Sequence, residues 1–211
     1  MKCERETLLL YAVTDRRWTG RQTLFEQVEA AIKGGATCIQ LREKELGDGD
    51  FLAEAKEMLK LCRSYGVPLI INDNADVALE CGADGVHVGQ SDADAAELRA
   101  RAGDKLIIGV SAQTVEQAKA AERAGADYLG VGAVFSTTTK LDAVDVPGDT
   151  LREICSAVSI PVVAIGGINR DNIRELSGSG VAGVALVSAI FAADDIEGEC
   201  RLLRKLSEEI A

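Results

Sequence analysis

Four stretches decide the fold: AAIKGGATCIQL at 30–41, ALECGADGVHV at 78–88, AERAGADYLGV at 121–131 and ELSGSGVAGVALV at 175–187. Each reads as the end of a helical face, then a glycine, then an apolar run. Glycine accepts the left-handed conformation that closes a helix. A run apolar on both of its faces suits a strand covered on both sides, as in parallel sheets. Gly35, Gly82, Gly125 and Gly180 are the predicted turning points.

Working outward, the segments between these units supply the remaining strands. Eight are predicted, at 8–13, 38–41, 69–71, 85–88, 106–110, 128–131, 162–165 and 183–187. Amphipathic helical stretches separate them, at 23–33, 51–65, 115–124 and 151–158 among others. Strict alternation of strand and helix favours the α/β class, and eight parallel strands favour closure. An open doubly wound sheet would produce similar local patterns, but no G-x-G-x-x-G turn follows the first strand. The expected architecture is α/β, a single (β/α)8 TIM barrel over residues 1–211, and 211 residues is short for two cores.

Composition narrows the function classes. With 34 acidic against 23 basic residues the formal charge is −11, which opposes attraction to nucleic acid and to anionic lipid. An anionic substrate would need a local basic cluster. The apolar stretch 8–13 is too short for a signal-peptide core or a membrane span, which predicts a soluble, cytoplasmic chain with no nucleic-acid or membrane partner. The six cysteines are dispersed and form no C-x-x-C pair, so they read as reduced packing residues.

In such a barrel the reactive groups fall just after the strand ends, where the loops share one mouth. After the second strand, alternation sends Gln40, Arg42 and Lys44 to one side. The third strand ends in Asn72 and Asp73, and the loop after the fourth carries Asp92. Magnesium requires only one or two protein carboxylates beside substrate phosphate oxygens, so Asp73 and Asp92 suffice; as helix caps they would have a structural role instead. Ser111 follows the fifth strand, and the sixth leads to Phe135, Ser136, Thr137, Thr138, Thr139 and Lys140, a polar loop suited to a diphosphate. The seventh runs into Gly166 and Gly167, and the eighth into Val187 and Ser188, where barrels commonly bind phosphate. The single histidine, His87, falls inside the fourth strand and reads as a wall residue. Trp18 fits either the mouth or its rim.

The ordered set YAVTD, QLREK, IINDNADVA, ADGVHVGQSD, IGVSAQT, GADYLGVGAVFSTTTK, PVVAIGGIN and GVALVSAI resembles the thiamin phosphate synthase family over nearly the whole chain. The resemblance implies two small phosphorylated substrates, an aminopyrimidine methyl diphosphate and a thiazole ethyl phosphate. They would be joined by a dissociative substitution into thiamin monophosphate and pyrophosphate, with Mg2+. Carried over by motif, Gln40, Leu41, Arg42, Glu43, Lys44 and Asn72 would hold the pyrimidine diphosphate, with Asp73 and Asp92 on the metal. Ser111 would sit at the pyrimidine, Thr137, Thr138, Thr139 and Lys140 at the phosphates, and Gly167, Val187 and Ser188 at the thiazole phosphate. Arg42, Lys140 and Ser111 would carry catalysis, and a homo-oligomer is compatible. The chain departs from the family at Gln113, where histidine is frequent, and near Ala133 and Ser136, where prolines are. A thiazole tautomerase, a related barrel isomerase, would call for an acid–base histidine near Gln113. A catalytically silent thiamin-phosphate-binding barrel would not need both aspartates and Lys140.

Overall fold

The structure, a computed structural model, describes residues 3–20, 22–90, 95–137 and 145–211. Eight parallel strands close in sequence order: β1 (Leu10–Val13), β2 (Cys38–Leu41), β3 (Leu69–Asn72), β4 (Gly85–Val88), β5 (Ile107–Ala112), β6 (Tyr128–Val131), β7 (Val162–Ile165) and β8 (Gly183–Leu186), with β8 returning to β1. The helices are α1 (Leu24–Lys33), α2 (Asp48–Ser64), α3 (Ala75–Cys81), α4 (Ala95–Ala102), α5 (Val115–Arg123), α6 (Gly148–Ala157), α7 (Ser188–Phe191) and α8 (Ile196–Glu208).

Strand alternation divides the core into two shells. Leu10, Ala12, Ile39, Leu41, Ile71, Val86, Ile108, Leu129, Ala164 and Val184 face the helices. Tyr11, Val13, Cys38, Ile70, Ile107, Tyr128, Val163 and Ala185 fill the barrel. A side-chain period of two, applied to strands covered on both faces, gives this arrangement. Fully burying an aliphatic side chain contributes about 1.5–3 kcal/mol, so the larger helix-facing shell supplies most of the cohesion.

The turning glycines behave as the sequence predicts. Gly35, Gly82, Gly125 and Gly180 all have positive φ, between +75° and +105°. Helix starts are equally local. Thr23 and Glu26 form a reciprocal capping box on α1, and the side chains of Asn74, Thr114 and Asp195 cap α3, α5 and α8.

Three expectations are corrected. The chain is not extended from 8: residues Arg5–Leu8 form a 3-10 turn, and the first strand begins at Leu10. Leu8, 1% exposed, closes the bottom of the inner shell, and the turn crosses Gly183 so closely that a Cβ there would lie 2.2 Å from the Leu8 carbonyl oxygen. β5 runs on to Ala112, because its pairing with β6 continues to Ala112 opposite Val131. Between β7 and β8 the expected helical face is a 3-10 turn, Ile173–Leu176. The short stretch is anchored by buried Ile173 and Leu176 and interrupted by Gly178 and Gly180 at positive φ.

All six cysteines are free. Burial pushes the thiols of Cys62 and Cys200 up to about 12, as packing residues require.

Candidate active site at the barrel mouth

The ends of β1 and β2 are bound together first. Thr14, fully buried, donates its amide to the Gln40 carbonyl at 3.0 Å, and its hydroxyl accepts the Arg42 amide at 3.0 Å. The next residue, Asp15, is 5% exposed and accepts the Arg17 amide at 3.0 Å and the Arg17 guanidinium at 2.8 Å. Its Oδ2 lies 3.8 Å from Nη1 of Arg42. Burial pushes the Asp15 carboxyl up, but hydrogen bonds from Arg17 and the charges of Arg17 and Arg42 outweigh it, and the pKa is held below the usual range.

Within 40–44 the alternation separates two jobs. Gln40, Arg42 and Lys44 stand on the inner side: Gln40 donates to the Tyr11 hydroxyl, Arg42 faces Asp15 and Lys44 pairs with Asp73. Leu41 points outward into the helix-facing shell. Glu43 turns under its own loop, where its carboxylate accepts the amides of Lys44 and Glu45 at 2.7 Å each and of Leu46 at 3.3 Å, and pairs with Arg16. Arg16 reaches on to Glu54. Burial raises the Glu43 carboxyl, yet the loop amides and Arg16 bring it below its ordinary value. The side chains of Leu41 and Glu43 are thus taken up by packing and by the loop itself. Around Asp15, Arg42 and Lys44 lies a recess of about 140 Å³. A larger, open depression of about 480 Å³ sits on the outer surface between α5 and α6 and includes none of these groups; strand-end chemistry favours the recess.

Asn72 ends β3 opposite His87 of β4. Asp73 follows at φ +62°, a left-handed conformation uncommon for a side-chain-bearing residue, and donates its amide to the His87 carbonyl at 2.8 Å. That geometry turns its carboxylate toward Lys44. Among the described residues no three His, Cys, Asp or Glu side chains gather as a metal cluster. Asp92, expected as the second carboxylate, lies outside the described residues. The Asp73 carboxylate opens on the mouth, where it pairs with the Lys44 ammonium; a carboxylate oxygen is a hard donor of the kind magnesium takes, one or two of them sufficing beside substrate oxygens.

Ser111, near the end of β5, is bonded on both sides: its hydroxyl to His87 Nε2 at 3.0 Å, its carbonyl to the Gln90 side-chain amide at 2.6 Å. The loop after β6 is fastened to the end of β7, with the Val134 amide on the Ile165 carbonyl at 3.0 Å and the Phe135 amide on that of Gly166 at 3.1 Å. Gly166 and Gly167 have φ of +98° and +66°. A Cβ on Gly167 would lie 2.5 Å from the Ser136 carbonyl oxygen, so only glycine fits between these loops. The Gly167 carbonyl accepts the side-chain amides of Asn172 at 2.9 Å and Asn169 at 3.4 Å, which fixes the orientation of the peptide. Thr137 is half-buried on the adjacent loop, whereas Thr138, Thr139 and Lys140 lie outside the described residues. Val187 is the N-cap of α7, and Ser188, exposed, opens it.

Sequence reasoning missed Thr14, Asp15, Tyr11 and Tyr128. A signal was present for Tyr128, whose in-phase neighbours Ala126 and Gly130 are small, whereas Tyr11 falls in phase with aliphatic Leu9 and Val13 and carried none.

A closed parallel barrel whose strand ends gather cations, a carboxylate and glycine loops belongs to the TIM-barrel enzymes that act on phosphorylated small molecules. The sequence profile of a family described as thiamine monophosphate synthase matches residues 10–190. A thiamine-phosphate synthase of Ruminiclostridium cellulolyticum is 51% identical over 197 residues, covering 93% of this chain and 94% of the relative. One from Clostridium botulinum is 48% identical over 196 residues, covering 93% and 92%. A solved thiamine phosphate pyrophosphorylase from Pyrococcus furiosus aligns with a TM-score of 0.90 at 42% identity, over 98% of both chains. The chain therefore belongs to the thiamine monophosphate synthase family. With that membership goes a transferase activity, formation of thiamine phosphate, on small phosphorylated substrates. These relatives support neither the tautomerase nor the silent binding barrel. No helix of the described residues is long and apolar enough to cross a membrane.

Proposed function

We propose that this chain joins an aminopyrimidine methyl diphosphate to a thiazole ethyl phosphate, or to its carboxylated form with loss of that carboxyl group as carbon dioxide, to give thiamin monophosphate and pyrophosphate. The methylene C–O bond breaks first, its electron pair leaving with the diphosphate, and the thiazole nitrogen then donates its pair to the pyrimidine methylene cation. The carrying observation is the division of the mouth into a charged side, Arg42 and Lys44 with Asp15 and Asp73, and a glycine-loop side at Gly166 and Gly167. Two differently held phosphate groups fit such a division.

In this reading Gln40, Arg42, Lys44 and Asn72, with the backbone of Leu41 and Glu43, bind the pyrimidine diphosphate. Arg42 and Lys140 meet the charge that develops on the leaving group, and Ser111 orients the pyrimidine. Thr137, Thr138 and Thr139 contact phosphate oxygens, and the amides of Gly167 and Ser188 with Val187 hold the thiazole phosphate. Asp73 and Asp92 would hold Mg2+, which when bound neutralises diphosphate charge. No protein nucleophile is required: the rate gain comes from fixed donors and positioning, for which one well-placed donor is worth roughly 3 kcal/mol. The enzyme is read as cytoplasmic, without nucleic-acid or membrane partners, and compatible with a homo-oligomer.

Purified protein should release pyrophosphate in a magnesium-dependent manner only when both precursors are supplied. Absence of thiamin monophosphate from folded protein given both substrates and magnesium would overturn the reading. Lys140→Ala should lower turnover at least about tenfold with an unchanged circular-dichroism spectrum.

A further inference from the structure

The inside of the barrel is not wholly apolar. A continuous line of side chains crosses it: the Gln40 amide donates to the Tyr11 hydroxyl at 2.8 Å, Tyr11 and Tyr128 hydroxyls meet at 2.8 Å, Tyr128 meets His87 Nδ1 at 3.0 Å, and His87 Nε2 meets the Ser111 hydroxyl at 3.0 Å. The line draws on β2, β1, β6, β4 and β5 in turn. Its rings are packed together, Tyr11 against Tyr128 edge-on at 6.0 Å between centroids and His87 against Tyr128 at 5.5 Å.

Two strands give up side chains to admit it. A Cβ on Gly109 would lie 2.1 Å from Tyr128 Cζ, and one on Gly130 would lie 2.9 Å from His87 Cε1. An aliphatic filling would close the same space without burying two phenols and half-burying an imidazole. Each of those groups left unpaired would carry the full desolvation penalty of a polar group shut away from water, so the line is tolerated only with every link made. Burial, first of several causes, holds both phenols well above their usual pKa, so both keep their protons.

The direction of the line follows link by link. With Gln40 donating to Tyr11 and a neutral imidazole at His87, the Tyr11 proton goes to Tyr128 and the Tyr128 proton to His87 Nδ1, which leaves the His87 proton on Nε2, toward Ser111. Gln40 then has its carbonyl oxygen left to accept, and Ser111 its hydroxyl proton left to donate.

We propose that Tyr11, Tyr128 and His87 are positioning residues that lock Gln40 as an acceptor and Ser111 as a donor in one coupled unit, fixing the polarity with which the mouth meets the substrate ring. The proposal rests on the reading of Gln40 and Ser111 as substrate-binding residues. Reversing any one link reverses the others, so a substrate that offered the opposite polarity at one end only would have to break a hydrogen bond inside the barrel.

The chain has one histidine, so 15N NMR of the ring at fixed pH reports the line without ambiguity. The full-length protein should show His87 as the Nε2–H tautomer, and Tyr128→Phe should shift it toward a mixture. In the native background Ser111→Ala should lower kcat/KM about tenfold; in the Tyr128→Phe background the same change should cost less than about threefold, because Ser111 has already lost its fixed direction. Tyr11→Phe, which leaves the His87 to Ser111 link in place, should weaken the coupling between Gln40→Ala and Ser111→Ala and gives a second reading if Tyr128→Phe fails to fold. An unchanged ring tautomer in both tyrosine variants, with additive kinetic effects, would overturn the positioning role. Unaltered kcat/KM in both Ser111→Ala and Gln40→Ala would instead overturn the substrate-wall reading on which it rests.

Discussion

The two sides of the mouth are built on different principles. From β1 to β3 the groups facing the opening are long charged side chains held in place by opposite charges: Arg42 by Asp15, Lys44 by Asp73, and beneath them Glu43 by Arg16. From β6 to β8 the opening is shaped by backbone, with Gly166 and Gly167 pressed against the loop of Ala133 to Ser136 and the short helix α7 beginning at Ser188. A side-chain site is changed by removing charge, and its scaffold survives. A backbone site has no side chain to remove and is changed by adding atoms where none fit.

The largest effect is expected on the backbone side. Gly167→Ala forces a Cβ to within 2.5 Å of the Ser136 carbonyl oxygen and 2.7 Å of that of Phe135, at φ +66°. It should lower unfolding free energy by about 2–4 kcal/mol in urea titration and cut kcat/KM at least about a hundredfold. A variant that keeps native stability and activity would show that the two loops move apart freely, and the contrast between the sides would fail.

Next comes the charged side. Arg42→Ala should lower kcat/KM at least about tenfold with little change in the unfolding midpoint, since Asp15 keeps its bonds to Arg17. Unchanged kinetics would remove Arg42 from the site.

Smaller still is an effect of pH. Glu43 and Asp15 both have folded values below their ordinary 4.5 and 3.8, so the stability they add is fully present above those values and is lost as pH falls through the lowered folded ones. Glu43→Gln should therefore lose about 1–3 kcal/mol at pH 7. It should also show a shallower fall in urea midpoint between about pH 5 and 3. Parallel curves for the two proteins would show that Glu43 is not held as an ion.

The smallest change belongs to Ser188→Ala. If amides at the start of α7 do the holding, kcat/KM falls less than about threefold; a tenfold loss would mean that the hydroxyl, not the backbone, meets the phosphate.

Much of the frame was legible because its causes are local. The strands at Cys38–Leu41, Gly85–Val88, Tyr128–Val131 and Val162–Ile165 begin and end where the apolar runs do. The positive φ of Gly35, Gly82, Gly125 and Gly180 follows from needing a left-handed residue between helix and strand. The boundaries that moved were set by neighbours instead: Leu8 by the floor of the barrel, Ala112 by continued pairing with β6. At the mouth, alternation separated Gln40, Arg42 and Lys44 from Leu41 and Glu43, but nothing nearby in sequence revealed that Glu43 would gather three amides and an arginine.

By itself the sequence determined the class of fold, the order of its strands and the strand ends where charge and glycine collect, since each depends on periodicity and backbone freedom within a few residues. Only the tertiary structure decided which of those residues meet. Tyr11 and Tyr128 are separated by 117 positions and share a hydrogen bond because closing the barrel brings β1 and β6 across a common interior. His87, a wall residue by sequence, becomes the link between Tyr128 and Ser111 for the same reason: a closed sheet turns every inward side chain toward one axis, and which partners meet there depends on register and tilt rather than on any local pattern.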